Sequence, residues 1–125
     1  MQTYEQTVQD EMDIHLLERL QAVDWSAPRA ILDFACGTGR IGAWLKARTS
    51  AEIDGIDLTP QMLDLARAKG VYRSLALADV AATGQPDSAY DLCIQSLADE
   101  HLADLHPLYR ETFRVTRSGG HFVIV

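Results

Sequence analysis

Long apolar runs are missing from this sequence. No stretch approaches the roughly 18 residues that a bilayer-spanning helix requires. The opening "MQTYEQTVQDEMD" is polar and acidic, unlike a secretory leader. Cysteine is scarce: there are two, Cys36 and Cys93, with no CxxC pair and no histidine at ligand spacing. That excludes a disulfide framework, and no metal site is expected. Both are expected as reduced, buried thiols of a cytoplasmic protein. Positive charge is short as well. Eleven Lys and Arg stand against 18 Asp and Glu, a formal net charge of −7, and the basic residues are scattered singly. Neutralising several phosphates takes clustered Lys and Arg, so nucleic acid is not an expected partner. The acid excess also disfavours docking on an anionic membrane. No Gly/Ser-rich linker, internal repeat or low-complexity tract divides the chain, so its 125 residues are expected to form one domain.

What is present is an alternation of patterns. Val8, Met12, Leu16, Leu20 and Val23 recur at helical spacing, with Leu17 beside them, until Ser26-Ala27-Pro28 ends the segment. "RAILDFA" reads as a buried strand running into glycines. "RIGAWLKAR" then places Ile41, Trp44, Leu45 and Arg48 on a helical stripe, and "AEIDGIDL" is a second strand ending at Asp57. "TPQMLDLARAKG" carries helix signals at both ends. Thr59 can cap, Pro60 suits the first helical position and Gly70 the C-terminal cap. Met62, Leu63, Leu65 and Ala66 supply its apolar face. "YRSLALADV" is a third strand ending near Asp79, "ATGQPDSA" a loop and "YDLCIQSL" a fourth strand. "HPLYRETFRV" is a helix with Leu108, Tyr109, Thr112 and Phe113 at helical spacing. Gly119-Gly120 turns the chain into "HFVIV". Strands that are apolar on both sides and alternate with helices predict a doubly wound, mostly parallel α/β sheet with helices on both faces. The expected strand order is 3-2-1-4-5. Ligands of such sheets bind beyond the carboxyl ends of the strands, at the switch point beside the first strand.

"ILDFACGTGRIG" falls at that point. Gly37-x-Gly39-x-x-Gly42 reads literally as a dinucleotide fingerprint. Asp57 ends the second strand, where a carboxylate can accept from a ribose diol. NAD and S-adenosylmethionine both carry that diol. Asp79, on the same rim, can accept from an adenine amino group. Asp33, four residues before Gly37, separates the two ligands. A carboxylate repels a pyrophosphate at close range, whereas S-adenosylmethionine brings a sulfonium and an ammonium. Gly42 is expected to serve packing rather than ligand.

"ILDFACGTGR", "IDGIDLTPQMLDLAR", "LALADV", "YDLCIQSLADEHL" and "LYRETFRVTRSGGHFVIV" resemble, in order, the motifs of class I S-adenosylmethionine-dependent methyltransferases. The likeness runs from Ala30 to Val125. It implies a single Rossmann-like domain over 1–125, with an N-terminal helical segment at 1–28 and an α/β core at 29–125. It also implies methyl transfer to a small-molecule acceptor, with S-adenosylhomocysteine as product. By position, Ala35 to Gly39, including Gly37 and the end of the strand at Phe34, would wrap the methionine portion, with Asp33 near its ammonium. Asp57 would hold the ribose, Leu58 and Met62 would flank the adenine, and Asp79 and Val80 would meet the adenine edge. Ser96 would lie near the transferred methyl, and Tyr4 would close over the cofactor.

The chain departs from the family pattern in two places. Ala35 stands where the family commonly has glycine. The family's sheet usually continues into a closing antiparallel pair, whereas this chain reaches Val125 within its fifth strand. Either a truncated sequence or a shortened natural form that pairs or swaps through this apolar edge is therefore expected. Asp99, Glu100, His101 and His106 follow the fourth strand on the substrate side, and His101 is the candidate general base. His15 and His121 are expected to serve packing or solvent. Trp44 is expected in the core, and Trp25 over the sheet's rim. Two other readings stay open: a non-catalytic cofactor-binding or assembly module, and an NAD-linked oxidoreductase.

Overall fold

The computed structural model describes residues 24–34, 36, 39–95 and 106–124, with the Ile124 side chain left out. The expected first helix and the candidates Tyr4, Ala35, Gly37, Ser96 and His101 lie outside the described residues, as do His15, Asp99 and Glu100.

Five strands form one sheet in the order β3-β2-β1-β4-β5, and every neighbouring pair is parallel. They are β1 (Ala30–Phe34), β2 (Glu52–Asp57), β3 (Ser74–Leu77), β4 (Tyr90–Gln95) and β5 (Thr116–Ile124). Three helices carry crossovers: α1 (Arg40–Lys46), α2 (Pro60–Lys69) and α3 (His106–Val115). This is the strand order read from the sequence. The central strands are apolar on both sides because both faces are covered. Ile31, Ile53, Leu92 and Ile94 pack with Ile41, Trp44 and Leu45 of α1. Leu32, Phe34, Ile56, Tyr90 and Cys93 pack on the opposite face with Leu108 and Val115 of α3. The ring of Trp25 meets Trp44 edge-on at 5.1 Å on the α1 side, rather than covering the ligand rim. Cys36 and Cys93 are buried, and no disulfide joins them.

Three details differ from the sequence reading. Leu65 is 52% exposed, and Leu63 and Ala66 carry the buried face of α2. In α3 the buried positions are Leu108, Glu111, Thr112 and Val115, while Phe113 is 87% exposed. The helix face is turned because Glu111 points inward. Its Oε2 accepts from the Thr83 N–H at 2.8 Å and the Thr83 hydroxyl at 2.7 Å, and Arg114 pairs with it. Hydrophobic periodicity does not register a buried carboxylate. Finally, β5 begins at Thr116, before the glycine pair. The register jumps from Tyr90↔Thr116 to Leu92↔His121, and Gly119 lies at φ 84° within the irregularity.

Candidate functional site: the cofactor rim

All five strands run to one rim, and the direction of winding reverses between β1 and β4. β1 ends at Phe34, whose side chain is fully buried in the α3-side core. The Cys36 N–H donates to the Ile56 carbonyl at 2.8 Å, which keeps the chain beyond β1 against β2. Gly39 then takes a left-handed conformation, φ 86°, as the N-cap of α1. A Cβ there would lie 3.0 Å from the Ala66 Cα, so glycine is needed for space as well as for φ. Having no side chain, Gly39 offers the helix no capping acceptor.

Tyr72, in the loop between α2 and β3, takes up that place. Its ring lies against three glycines. Cβ atoms at Gly39, Gly42 and Gly55 would come within 3.1, 2.4 and 2.9 Å of it. Its hydroxyl donates to Asp33 Oδ2 at 2.6 Å and lies against Gly42. Asp33 itself is 2% exposed. Burial, followed by the Asp33 charge, pushes the Tyr72 phenol far above its ordinary value, so it stays a donor. Burial, then the charges of Asp33 and Asp57, pushes the Cys36 thiol up as well, and it stays protonated. Asp33, Cys36 and Asp57 thus share one electrostatic neighbourhood. Sequence reading passed over Tyr72. The available signal was Gly55 inside a strand and Gly42 inside a helix, each a mark of something approaching closely.

Asp57 is half-buried at the end of β2, and its Oδ1 accepts from the Thr59 N–H at 2.9 Å. Thr59 is the N-cap of α2 but makes no side-chain capping bond. Leu58 beside it is 63% exposed, and Met62 is half-buried. β3 stops at Leu77. Asp79 follows, exposed, with Oδ1 accepting from the Ala81 N–H at 2.8 Å, and Val80 is buried. The structure therefore gathers Asp33, Gly39, Asp57, Leu58, Asp79 and Val80 along the ends of β1, β2 and β3. These residues fit an adenosyl ligand with a cationic tail. They offer a turn without side chains, an acid and an exposed apolar side chain at the end of β2, and further acids nearby. Among the described residues no group of three His, Cys, Asp or Glu could hold a metal ion. No helix among them is long and apolar enough to cross a membrane.

A parallel sheet wound in this order, with a glycine turn after β1 and an acid closing β2, defines a nucleotide-cofactor-binding α/β domain. Comparison with known proteins narrows the class. A methyltransferase-domain family profile matches residues 32–124. The malonyl-[acyl-carrier protein] O-methyltransferase of Serratia marcescens is 36% identical over 104 residues, covering 82% of this chain and 40% of that protein. The demethylmenaquinone methyltransferase of Thermus thermophilus is 37% identical over 115 residues, covering 86% of this chain and 52% of that one. A crystal structure of an S-adenosylmethionine-dependent methyltransferase from Mesorhizobium loti superposes with a TM-score of 0.76 at 30% identity, over 89% of this chain and 51% of that one. The chain belongs to the class I S-adenosylmethionine-dependent methyltransferases, whose cofactor is S-adenosylmethionine. It spans about half the length of the curated relatives it matches.

Proposed function

We propose that this chain is the cofactor-binding part of an enzyme that transfers the methyl group of S-adenosylmethionine to a small organic acceptor. The observation that carries the reading is Asp57 closing β2 beside the left-handed Gly39 turn at the switch point. A carboxylate there accepts from both hydroxyls of a ribose. Exposed Leu58 supplies an apolar surface for the adenine, with Met62, and Asp79 and Val80 supply the adenine edge. The stretch Phe34 to Gly39 is assigned to the methionine portion, with Ala35 and Gly37 assigned by family position alone. The negative potential of Asp33 favours the ammonium, and family position assigns Ser96, outside the described residues, to the methyl. When bound, the cofactor supplies an electrophilic methyl on a sulfonium. The chain's own work is to hold that group in line with an acceptor, with His101 as candidate base. The relatives' names support an acceptor of small-molecule chemistry, a malonyl group in one and demethylmenaquinone in another. Exposed Phe113 and Tyr109 on α3, with Tyr109 against Phe122 of β5, support self-association through this side. A protein that stays monomeric in light scattering at high concentration would lack it. Cytoplasmic residence accords with two cysteines that form no disulfide.

Calorimetric titration with S-adenosylmethionine, S-adenosylhomocysteine and NAD tests the reading. The two sulfur ligands should bind and NAD should not; NAD binding alone overturns it. Asp57→Ala should weaken S-adenosylhomocysteine by roughly 100-fold, the loss of two hydrogen bonds to a charged acceptor. An unchanged affinity rejects the ribose role. Release of S-adenosylhomocysteine in the presence of small carboxylic and phenolic acceptors distinguishes an enzyme from a binding module.

A further inference from the structure

We propose that Tyr72 is a positioning residue for the cofactor loop, a keystone that holds the start of α1 to the end of β1 from below. The proposal rests on the cofactor reading above, because the loop it braces is the one assigned to the methionine portion.

Three observations converge on it. The first is spatial. Three glycines from two elements, Gly39 at the α1 cap, Gly42 within α1 and Gly55 within β2, all lie against Tyr72. A methyl group at Gly42 would sit 2.3 Å from the Tyr72 hydroxyl oxygen. The niche therefore has no room for any larger residue while the ring is present. The second is capping. The first four N–H groups of a helix have no partner within the helix. Gly39 provides no side-chain acceptor, and the Tyr72 hydroxyl is set against this first turn at Gly42. The third is charge. The same hydroxyl donates to Asp33 at 2.6 Å, the short range of a hydrogen bond to a carboxylate. One oxygen is thus bonded to β1 and packed on the first turn of α1. Tyr72 reaches the cofactor only through the backbone it fixes. Ordering that backbone before the ligand arrives lowers the entropic cost of binding.

The test compares Tyr72→Phe with Tyr90→Phe. Tyr90 also donates to a buried aspartate at 2.6 Å, Asp54, so each variant loses one equivalent hydroxyl and keeps its ring. In calorimetry, Tyr72→Phe should raise the dissociation constant of S-adenosylhomocysteine at least tenfold, and Tyr90→Phe should leave it within twofold. Gly42→Ala, whose added methyl displaces the hydroxyl, should reproduce the Tyr72→Phe loss. Without ligand, exchange of the Gly42 amide measured by NMR should quicken at least tenfold in Tyr72→Phe. An affinity of Tyr72→Phe within twofold of the parent protein overturns the proposal, as does an equal loss in both tyrosine variants. If the parent protein binds no S-adenosylhomocysteine, the cofactor reading fails by itself. An unchanged Gly42 exchange rate then overturns the keystone as well.

Discussion

Two buried aspartates on adjacent strands carry the same bond in different settings. Asp33 on β1 and Asp54 on β2 each accept a tyrosine hydroxyl at 2.6 Å, from Tyr72 and Tyr90. Consecutive loop residues serve them: Tyr72 reaches Asp33 and Arg73 reaches Asp54. Tyr72 packs on the α1 and α2 side, and Tyr90 belongs to the α3-side core. Around Asp54 the arrangement is a closed charge pair. Arg73 binds it through Nη2 at 2.6 Å and Nε at 3.0 Å and also holds Glu52. Burial pushes the Asp54 carboxyl up, but Arg73 and Tyr90 outweigh that and hold it below its ordinary value. Around Asp33 the same hydroxyl packs on the first turn of α1, next to the ligand rim. The same chemical device therefore serves stability in one place and the shape of a binding loop in the other.

The largest effect that could break this comparison is on the stability side. Arg73→Met leaves Asp54 buried without its cation and should cost about 2–3 kcal/mol, less than a fully buried pair because Arg73 is half in solvent. Chemical denaturation reads this, and S-adenosylhomocysteine affinity of the folded protein should not move. A matching loss of affinity would mean that the two aspartates form one network. Acid comes next. Arg114, ahead of the Thr83 bonds, holds Glu111 down to about 2. Its contribution is then complete above the unfolded value near 4.5 and is lost as pH falls toward 2. The loss amounts to about 2–3 kcal/mol, since the side chain is 9% exposed. Glu111→Gln should flatten stability over that window, and an unaltered pH profile would remove Glu111 from the account. The smallest effect is Tyr90→Phe, about 1 kcal/mol in denaturation for a lost hydrogen bond to a charged group still held by Arg73. A drop above 3 kcal/mol would show Tyr90, rather than Arg73, to be the main partner of Asp54.

Much of the fold was legible beforehand, because buried parallel strands and capped helices leave strong local marks. Gly70 ends α2 in the left-handed conformation that its position predicts, φ 71°. Asp57 and Gly39 could be placed on the rim from their positions after strands alone. Other features escaped because their causes are distant in sequence. Glu111 turned the face of α3 through Thr83, which lies 28 residues away. Tyr72 reached Asp33 across 39 residues. Ser96 and His101 fall outside the described residues.

The sequence by itself determined the alternation of strands and helices, the glycine turn and the acid that closes β2. Each of these depends on neighbours a few residues apart, through backbone conformation and hydrophobic period. Only the tertiary structure decided why Gly42 and Gly55 are glycines and what Asp33 holds. Those answers lie in one ring packed against three elements, and a close approach between distant segments leaves no periodic trace.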